Sequence, residues 1–190
     1  EALRAGTAAA VTAWKDEFAD RALMAKKPTP GTVSSRRDIP EIGVTVLTLS
    51  NGVDVWLKPT EFRNDQINVT SYARGGTSLA SCGEYLDASL STSLVGIAGV
   101  GGFNPVELGK LLAGTVANAS AYMSSYTHGV SAGSTPKDLE VALQLIYLHF
   151  TAPNRDAAAF DLLKRRLEAG IANQRQNPGA VFGERVRRVN

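Results

Sequence analysis

Hydrophobic and polar residues alternate in three runs that follow one another in the first half of the chain. The runs are VTVLTL at 44–49, VDVWLK at 53–58 and QINVTSYAR at 66–74, and a period of two is typical of β-strands. Asn51 and Gly52 separate the first two runs, and both residue types tolerate the positive φ of a tight hairpin turn. The pattern therefore predicts three consecutive strands, the first two joined as a hairpin.

Two helices are predicted next, because the apolar spacing changes from two to that of a helix. The first covers residues 84–97, and the second runs from Asn104 to Gly114. Asn104 is a favourable N-cap, Pro105 suits the first helical position, and Glu107 completes a capping box. Gly114 can end the helix in a left-handed conformation.

Two more strands and two longer helices complete the pattern. The strands are TVANASAYM at 115–123 and SYTHGVSAG at 125–133. Thr135 opens a helix that Pro153 closes, a second helix covers residues 156–177, and a last helical stretch follows Pro178. The predicted core faces of the two longer helices consist of Leu139, Leu143, Ile146, Tyr147 and Phe150 in the first, and of Phe160, Leu163, Leu167 and Ile171 in the second.

The order of elements, βββ-αα-ββ-αα, predicts the α+β class. Hairpins dominate and strand–helix–strand units are scarce, which favours a mostly antiparallel sheet with helices packed on one face over a doubly wound parallel sheet. We assign residues 44–190 to this domain and expect it to be truncated at its C-terminus, because no stop signal follows the last helix.

Two segments precede the domain. Residues 28–43 hold three prolines and several Ser and Thr residues, a composition that disfavours regular structure and predicts an interdomain linker. Residues 1–27 predict a helix that ends a preceding domain. The apolar face of that helix consists of Val11, Trp14, Phe18 and Ala22.

Composition excludes several classes of protein. The chain has 190 residues, 44% of them hydrophobic, with a net charge of +2, so nothing favours a nucleic-acid or membrane partner. No apolar run reaches the roughly 18 residues of a membrane span. A single Cys excludes an internal disulfide framework and a multi-cysteine zinc site. Any histidine chemistry must come from His128 and His149.

The candidate catalytic motifs all have a more ordinary structural interpretation. The glycines of GIAGVGG at 96–102 lack the preceding strand and the lysine of a phosphate loop, and indicate a helix end and tight turn. His128 and His149 lie in different predicted elements, too far apart in sequence for a helical zinc motif. Glu84 and Asp87 could form a general acid–base pair, but at a helix start they more often complement the macrodipole.

Two other features lead to the same conclusion. Cys82 has no basic neighbour, and a lone thiol of this kind is more often inert than nucleophilic. Between residues 88 and 136 the only charged side chains are Glu107 and Lys110. A stretch this poor in charge is either core or a surface that something else covers.

Most of the chain from Pro28 onward resembles pitrilysin/insulinase-type zinc metallopeptidases, the inverzincin family. The segments that carry the resemblance are LSNGVDVWLKPTEF, SLVGIAGVGGFNPVELGKLLAG and PKDLEVALQLIYLHFTAP, in this order and spacing. They are similar to the start of the C-terminal half of large bacterial members. The resemblance implies homologous α+β domains in two halves that close around a peptide, with an H-x-x-E-H zinc motif and a distant Glu ligand in the first domain.

The resemblance also implies that this segment has lost the zinc site. The helix in the equivalent place reads STSLVGIAG at 91–99, without His or Glu, and Ala172 and Asn173 lie near the position of the distant ligand. No catalytic, metal-binding or cofactor-binding residue can therefore be assigned, and zinc is expected in an upstream domain of the parent protein. The implied partners are other domains of the same polypeptide and a peptide substrate, and the implied location is periplasmic or secreted.

Two alternatives remain open from the sequence. One is a free-standing, non-catalytic subunit that binds peptides and a separate catalytic chain. The other is an unrelated α+β binding module, which requires the resemblance to be accidental.

Overall fold

The computed structural model describes residues 21–189 of the chain. The strands in this range are β1 (Val33–Ile39), β2 (Val44–Leu49), β3 (Asp54–Leu57), β4 (Ile67–Thr70), β5 (Ala73–Arg74), β6 (Ala117–Met123) and β7 (Thr127–Ser134). The helices are α1 (Tyr85–Ala98), α2 (Pro105–Leu111), α3 (Leu139–Thr151), α4 (Ala157–Gln176) and α5 (Pro178–Val189). Antiparallel strands combined with helices confirm the predicted α+β class.

The strands form two sheets. In the first sheet β2 lies between β1 and β3, and all pairings are antiparallel. In the second sheet β7 is central, with β6 along one side and β4 and β5 sharing the other. Within the residues that the structure describes, β6 is therefore an edge strand.

The second sheet has one apolar and one polar face. Residues directly opposite each other share a face, so Ala119 of β6, Ala132 of β7 and Val69 of β4 lie together. Ala132 is buried and the other two are half-buried, and α1 and α3 pack against β6. In β4, β6 and β7 the opposite face carries uncharged side chains, among them Asn118 and Ser120, which are exposed. Arg74 of β5, opposite Thr127, shares this face.

The predicted hairpin is confirmed. The Leu49 N–H donates to the Val53 carbonyl at 2.8 Å, and Gly52 donates back to Leu49 at 2.9 Å. Gly52 adopts a φ of 83°, which explains the glycine at this turn. Val44 and Val46, on alternate positions of β2, are buried.

The expectation that residues 28–43 lack regular structure is wrong for β1. This strand pairs with β2 from Val33, opposite Leu49, to Ile39, opposite Val44. Six of its seven residues are exposed, so it lacks the alternation that marks a half-buried strand, and backbone pairing holds it in place. The interdomain boundary remains a prediction.

The third predicted strand is interrupted in its middle, between β4 and β5. In a regular ladder the Val130 N–H would donate to a backbone carbonyl of the neighbouring strand. Here it donates to the Ser71 hydroxyl at 3.0 Å instead. The Ser71 carbonyl instead accepts from the Tyr122 hydroxyl at 3.0 Å. Gly129 approaches it so closely that a Cβ there would lie 2.0 Å from the Ser71 oxygen, which requires glycine.

Of two predicted helix starts, the one at Asn104 is correct and the one at Thr135 is not. The capping box of α2 is confirmed: the Asn104 side chain accepts from the N–H groups of Val106 and Glu107, and Glu107 accepts from the Asn104 N–H. The helix predicted from Thr135 begins only at Leu139, because the Thr135 hydroxyl donates to the Asp138 carboxylate at 2.8 Å and closes a turn first.

The predicted core faces of α3 and α4 are partly wrong. In α3 the buried residues are Ala142, Leu145 and Leu148. In α4 they are Ala159 and Leu163. Both helices carry apolar residues on more than one side, and packing against the sheet and α1 selects a side that periodicity alone does not identify. The assigned core residues that are exposed are Leu143, Tyr147, Phe150, Phe160, Leu167 and Ile171.

The remaining predictions concern the two ends of the chain. The helix predicted for residues 1–27 falls mostly on residues 1–20, outside the described range. Its last part, residues 21–27, has no helical structure. The last helical stretch is confirmed as α5, which Pro178 opens after α4 ends at Gln176.

Candidate functional site

The glycine-rich segment forms a tight turn at the end of α1, as its sequence predicts. Gly99 ends the helix with a φ of 82°, and a Cβ there would lie 2.1 Å from the Phe103 carbonyl oxygen. Asn154 holds the turn: its amide donates to the carbonyls of Ala98 and Phe103, both at 2.9 Å, and accepts from Gly102 at 2.8 Å. This network is structural and offers no phosphate cradle.

The two histidines have separate structural roles. The Nδ1 atom of His128 accepts from the Gly76 N–H at 3.3 Å. The Nδ1–H of His149 donates to the Leu145 carbonyl at 2.8 Å, one turn earlier in α3. In the neutral ring this leaves Nε2 of His149 as an acceptor.

The remaining candidates lie around the start of α1. Glu84 accepts from the hydroxyl and the N–H of Ser81, at 2.7 and 3.2 Å. These bonds, the one from the hydroxyl first, hold the pKa of Glu84 below its ordinary value, the opposite of what a general acid needs. Asp87 lies in the first turn of α1, and Cys82 is exposed.

The positions that the resemblance assigns to a zinc motif lie on two helices. Residues 91–98 belong to α1 and Ala172 and Asn173 to α4, and none has an imidazole or carboxylate. These residues do not fit a zinc ion. Across residues 21–189, no three His, Cys, Asp or Glu side chains cluster in a way that could hold a metal ion.

A cavity of about 450 Å³ lies between α1, α2, α3 and β6. Its apolar walls include Val95 of α1, Leu108 of α2 and Leu145 of α3. No charged side chain lines it among the described residues, and His149 is the one titratable group in its wall. Sequence reasoning missed this cavity, although the charge-poor stretch around 88–136 was a signal for it.

Among residues 21–189, the wall formed by β6 is also the free edge of the second sheet. Two flanking bonds fix the ladder: Thr135 N–H to the Val116 carbonyl, and Ser124 N–H to the Thr127 carbonyl. Hydrogen-bonded and non-hydrogen-bonded pairs alternate along an antiparallel ladder. With the β6–β7 register, these bonds therefore indicate that the even-numbered residues of β6 form the backbone hydrogen bonds to β7. The N–H and C=O groups of Ala117, Ala119 and Ala121 therefore point away from β7.

Comparisons with known proteins identify the family. No protein-family model matches the sequence. A zinc protease PQQL-like protein of Arabidopsis thaliana is 30% identical over 183 residues, which are 95% of this chain and 16% of that protein. Over the shared length, this is a sequence match to a zinc protease. The chain belongs to the pitrilysin-like zinc protease family.

Solved structures show the same fold. The periplasmic protease PqqL of Escherichia coli has a TM-score of 0.78 and 19% identity, covering 96% of this chain and 20% of PqqL. The ferredoxin protease FusC, solved as a mutant in complex with Arabidopsis ferredoxin, has a TM-score of 0.73 and 19% identity, covering 97% of this chain and 20% of FusC. The chain thus spans a fifth or less of each of these three proteins. No described helix is long and apolar enough to cross a membrane.

Proposed function

We propose that this chain is a non-catalytic domain of a zinc-dependent metalloendopeptidase. It forms part of the wall of a peptide-enclosing chamber and contacts neighbouring domains of the same polypeptide. Zinc and hydrolysis belong to an upstream domain, and the parent protein is bacterial and acts in the periplasm or outside the cell.

One observation carries the proposal: the chain matches a zinc protease along 95% of its length, yet residues 91–99, where the resemblance places the zinc motif, contain no His, Cys, Asp or Glu. Hydrolysis by a zinc peptidase needs three protein ligands and a water on the metal. Residues 91–99 contain only Ser, Thr, Leu, Val, Gly, Ile and Ala. The domain is therefore suited to enclosing a substrate and not to cleaving it.

Exposed apolar residues support contacts with other domains. Leu143, Tyr147 and Phe150 lie along one side of α3 and are 49%, 40% and 57% exposed. Phe160 and Ile171 of α4 are 55% and 52% exposed. Several large apolar side chains exposed along one side of a helix are typical of an interface.

The polar face of the second sheet supports a role as chamber wall. Asn68, Asn118, Ser120 and Ser131 contribute uncharged polar groups to this face, and β6 and β7 contain no charged residue. Arg74 of β5, opposite Thr127, is the one charged side chain that the strands described here place on this face. A surface with so little fixed charge admits peptides of varied sequence, because it scarcely attracts or repels charged side chains.

The test removes both histidines of this chain from the protein as its gene encodes it. The double variant His128→Gln, His149→Gln should keep its zinc content and its cleavage of a quenched fluorescent peptide that is too short to reach the cavity lined by His149. A matched control replaces a histidine of the H-x-x-E-H motif in the upstream domain and should lose both. Loss of zinc from the double variant alone would contradict the proposal.

The gene itself separates the proposal from its alternative. An open reading frame that continues on both sides, with H-x-x-E-H upstream, supports a domain of one polypeptide. A start codon near Glu1 with the zinc motif in a neighbouring gene would instead support a free-standing, non-catalytic subunit.

A further inference from the structure

The edge of β6 presents a ready set of backbone hydrogen-bonding groups. Ala117, Ala119 and Ala121 each direct one N–H and one C=O away from β7, at every second position of the strand. This is the arrangement with which an extended peptide pairs when it adds to a sheet. The methyl side chains of these residues are half-buried and leave room for a neighbour.

This edge lacks the features that protect most sheet edges. Natural edge strands usually carry a charged residue, a proline or a bulge that prevents pairing with another chain. Residues 111–134 contain no charged residue and no proline, and the β6–β7 register is continuous. An edge left open in this way is suited to accepting a strand.

The cavity adds a place for a side chain beside the edge. It is bounded by β6 on one side and by α1 and α2 on the others, so a residue paired with β6 could insert a side chain between the helices. Its volume of about 450 Å³ falls in the usual range of ligand pockets, roughly 300–1,000 Å³. The uncharged lining favours an apolar side chain, because a charged one would lose its hydration without gaining a partner.

We propose that the free edge of β6 binds an extended peptide as an additional strand and that the cavity accepts one of its apolar side chains. The inference rests on the proposed function, because a peptidase that encloses varied peptides gains from backbone pairing that depends little on sequence. The occupant is a substrate peptide, and the site holds it without taking part in its hydrolysis.

The first test is hydrogen exchange resolved to single residues, in the protein as its gene encodes it. The probe is the peptide acetyl-Thr-Val-Thr-Phe-Thr-Val-Thr-amide. The amides of Ala117, Ala119 and Ala121 should exchange quickly without the probe and slow by at least about 10-fold when it is saturating. Those of Asn118 and Ser120 should be protected in both cases.

Two outcomes of this experiment would overturn the proposal. One is slow exchange at Ala119 before any probe is added, which would mean that another segment of the protein already covers the edge. The other is unchanged exchange at all three alanines with the probe at saturation.

The second test fills the cavity. Gly109 of α2 lines it, and a Cβ there meets nothing within 4 Å, so Gly109→Leu can be accommodated without a clash at Cβ. The matched control is Gly170→Leu on α4, where a Cβ also meets nothing within 4 Å and which lies outside the cavity. Gly109→Leu should weaken binding of the probe by about 10-fold or more, and Gly170→Leu by less than about 2-fold.

Equal affinity in the two variants would overturn the role of the cavity. Zinc content and cleavage of a peptide too short to reach β6 serve as separate readouts, because they depend on the upstream domain. If both are retained while the probe fails to bind, the β6 site is wrong and the proposed function stands.

Discussion

Asn154 fixes the glycine-rich turn with both ends of its amide group. Its amide NH₂ donates to two carbonyls that α1 and the turn would otherwise leave open, and its oxygen accepts from Gly102. The side chain is half-buried, so water replaces these bonds poorly. One side chain after α3 thus determines where α1 ends.

We expect Asn154→Ala to lower the free energy of unfolding by about 2–3 kcal/mol, since three hydrogen bonds of about 1 kcal/mol each are lost. Urea unfolding followed by circular dichroism measures the change. Asn173→Ala, at an exposed position of α4, is the control and should change stability by less than about 0.5 kcal/mol. Similar values for the two variants would contradict the assigned role.

Asp138 joins the start of α3 to the start of β6. Its carboxylate accepts from the Val116 N–H at 3.0 Å and the Thr135 hydroxyl at 2.8 Å. These bonds, the one from Val116 first, lower the pKa of the Asp138 carboxyl from its ordinary 3.8. A carboxyl of lowered pKa adds stability that is complete above its unfolded-state pKa and disappears as the pH falls through the folded-state value.

The native chain should therefore lose part of its stability as the pH drops below about 4. Asp138→Asn removes the titrating group, so its urea midpoint should change less with pH over this range. Asp161→Asn, at an exposed position of α4, should follow the native curve. Parallel curves for Asp138→Asn and the native chain would show that Asp138 is not the group responsible.

At the scale of elements, the sequence predicts those turns and helix starts that depend on residues close together in the chain. The hairpin at Gly52 and the capping box of Asn104 and Glu107 depend on groups within a few residues of each other. The strand β1 was missed because its partner is β2 and its own residues carry no pattern. The break at Ser71 was missed because it depends on Tyr122 and Gly129, far along the chain.

Helix α3 shows why the buried side could not be predicted. Apolar residues occupy most of its surface, so a stripe through Leu143, Tyr147 and Phe150 is as regular as the one through Leu145 and its neighbours. The second sheet lies on one side only, and this tertiary arrangement buries Leu145 to 4% exposure and leaves Leu143 at 49%.

Leu145→Ala and Leu143→Ala remove the same atoms from nearly opposite sides of α3. The first leaves a hole in the core and should cost about 2–5 kcal/mol in the free energy of unfolding. The second, at a half-exposed position, should cost less than about 1 kcal/mol. Chemical denaturation of the two variants measures the difference, and a reversed order would mean that the wrong side of α3 has been placed in the core.

At the scale of the whole molecule, some features of the site follow from the residue types alone, and others are visible only in the tertiary structure. The sequence alone predicts the lack of zinc ligands at 91–99 and the family resemblance, because both depend on which residues are present. The cavity and the free edge of β6 depend on how α1, α2 and the second sheet meet, and no local pattern specifies that. The charge-poor stretch between residues 88 and 136 indicates only a core or a covered surface, and does not identify the cavity or the edge.

The outer side of α3 should matter to the parent protein more than to this domain. Leu143→Ser with Phe150→Ser exposes no new core, so we expect the free energy of unfolding of the domain to change by less than about 1 kcal/mol. In the protein as its gene encodes it, the same pair should increase protease sensitivity between domains, because an apolar contact is lost. Limited proteolysis measures this, and an unchanged digestion pattern would contradict an interface on α3.

The uncharged ladder of β6 also determines how the protein behaves when concentrated. Two copies can join edge to edge through the same alanines, and further pairing leads towards fibrils. Purified material should therefore self-associate as its concentration rises. A single lysine introduced by Ala119→Lys should keep it monomeric, because a charge in the middle of the edge opposes stacking of like chains.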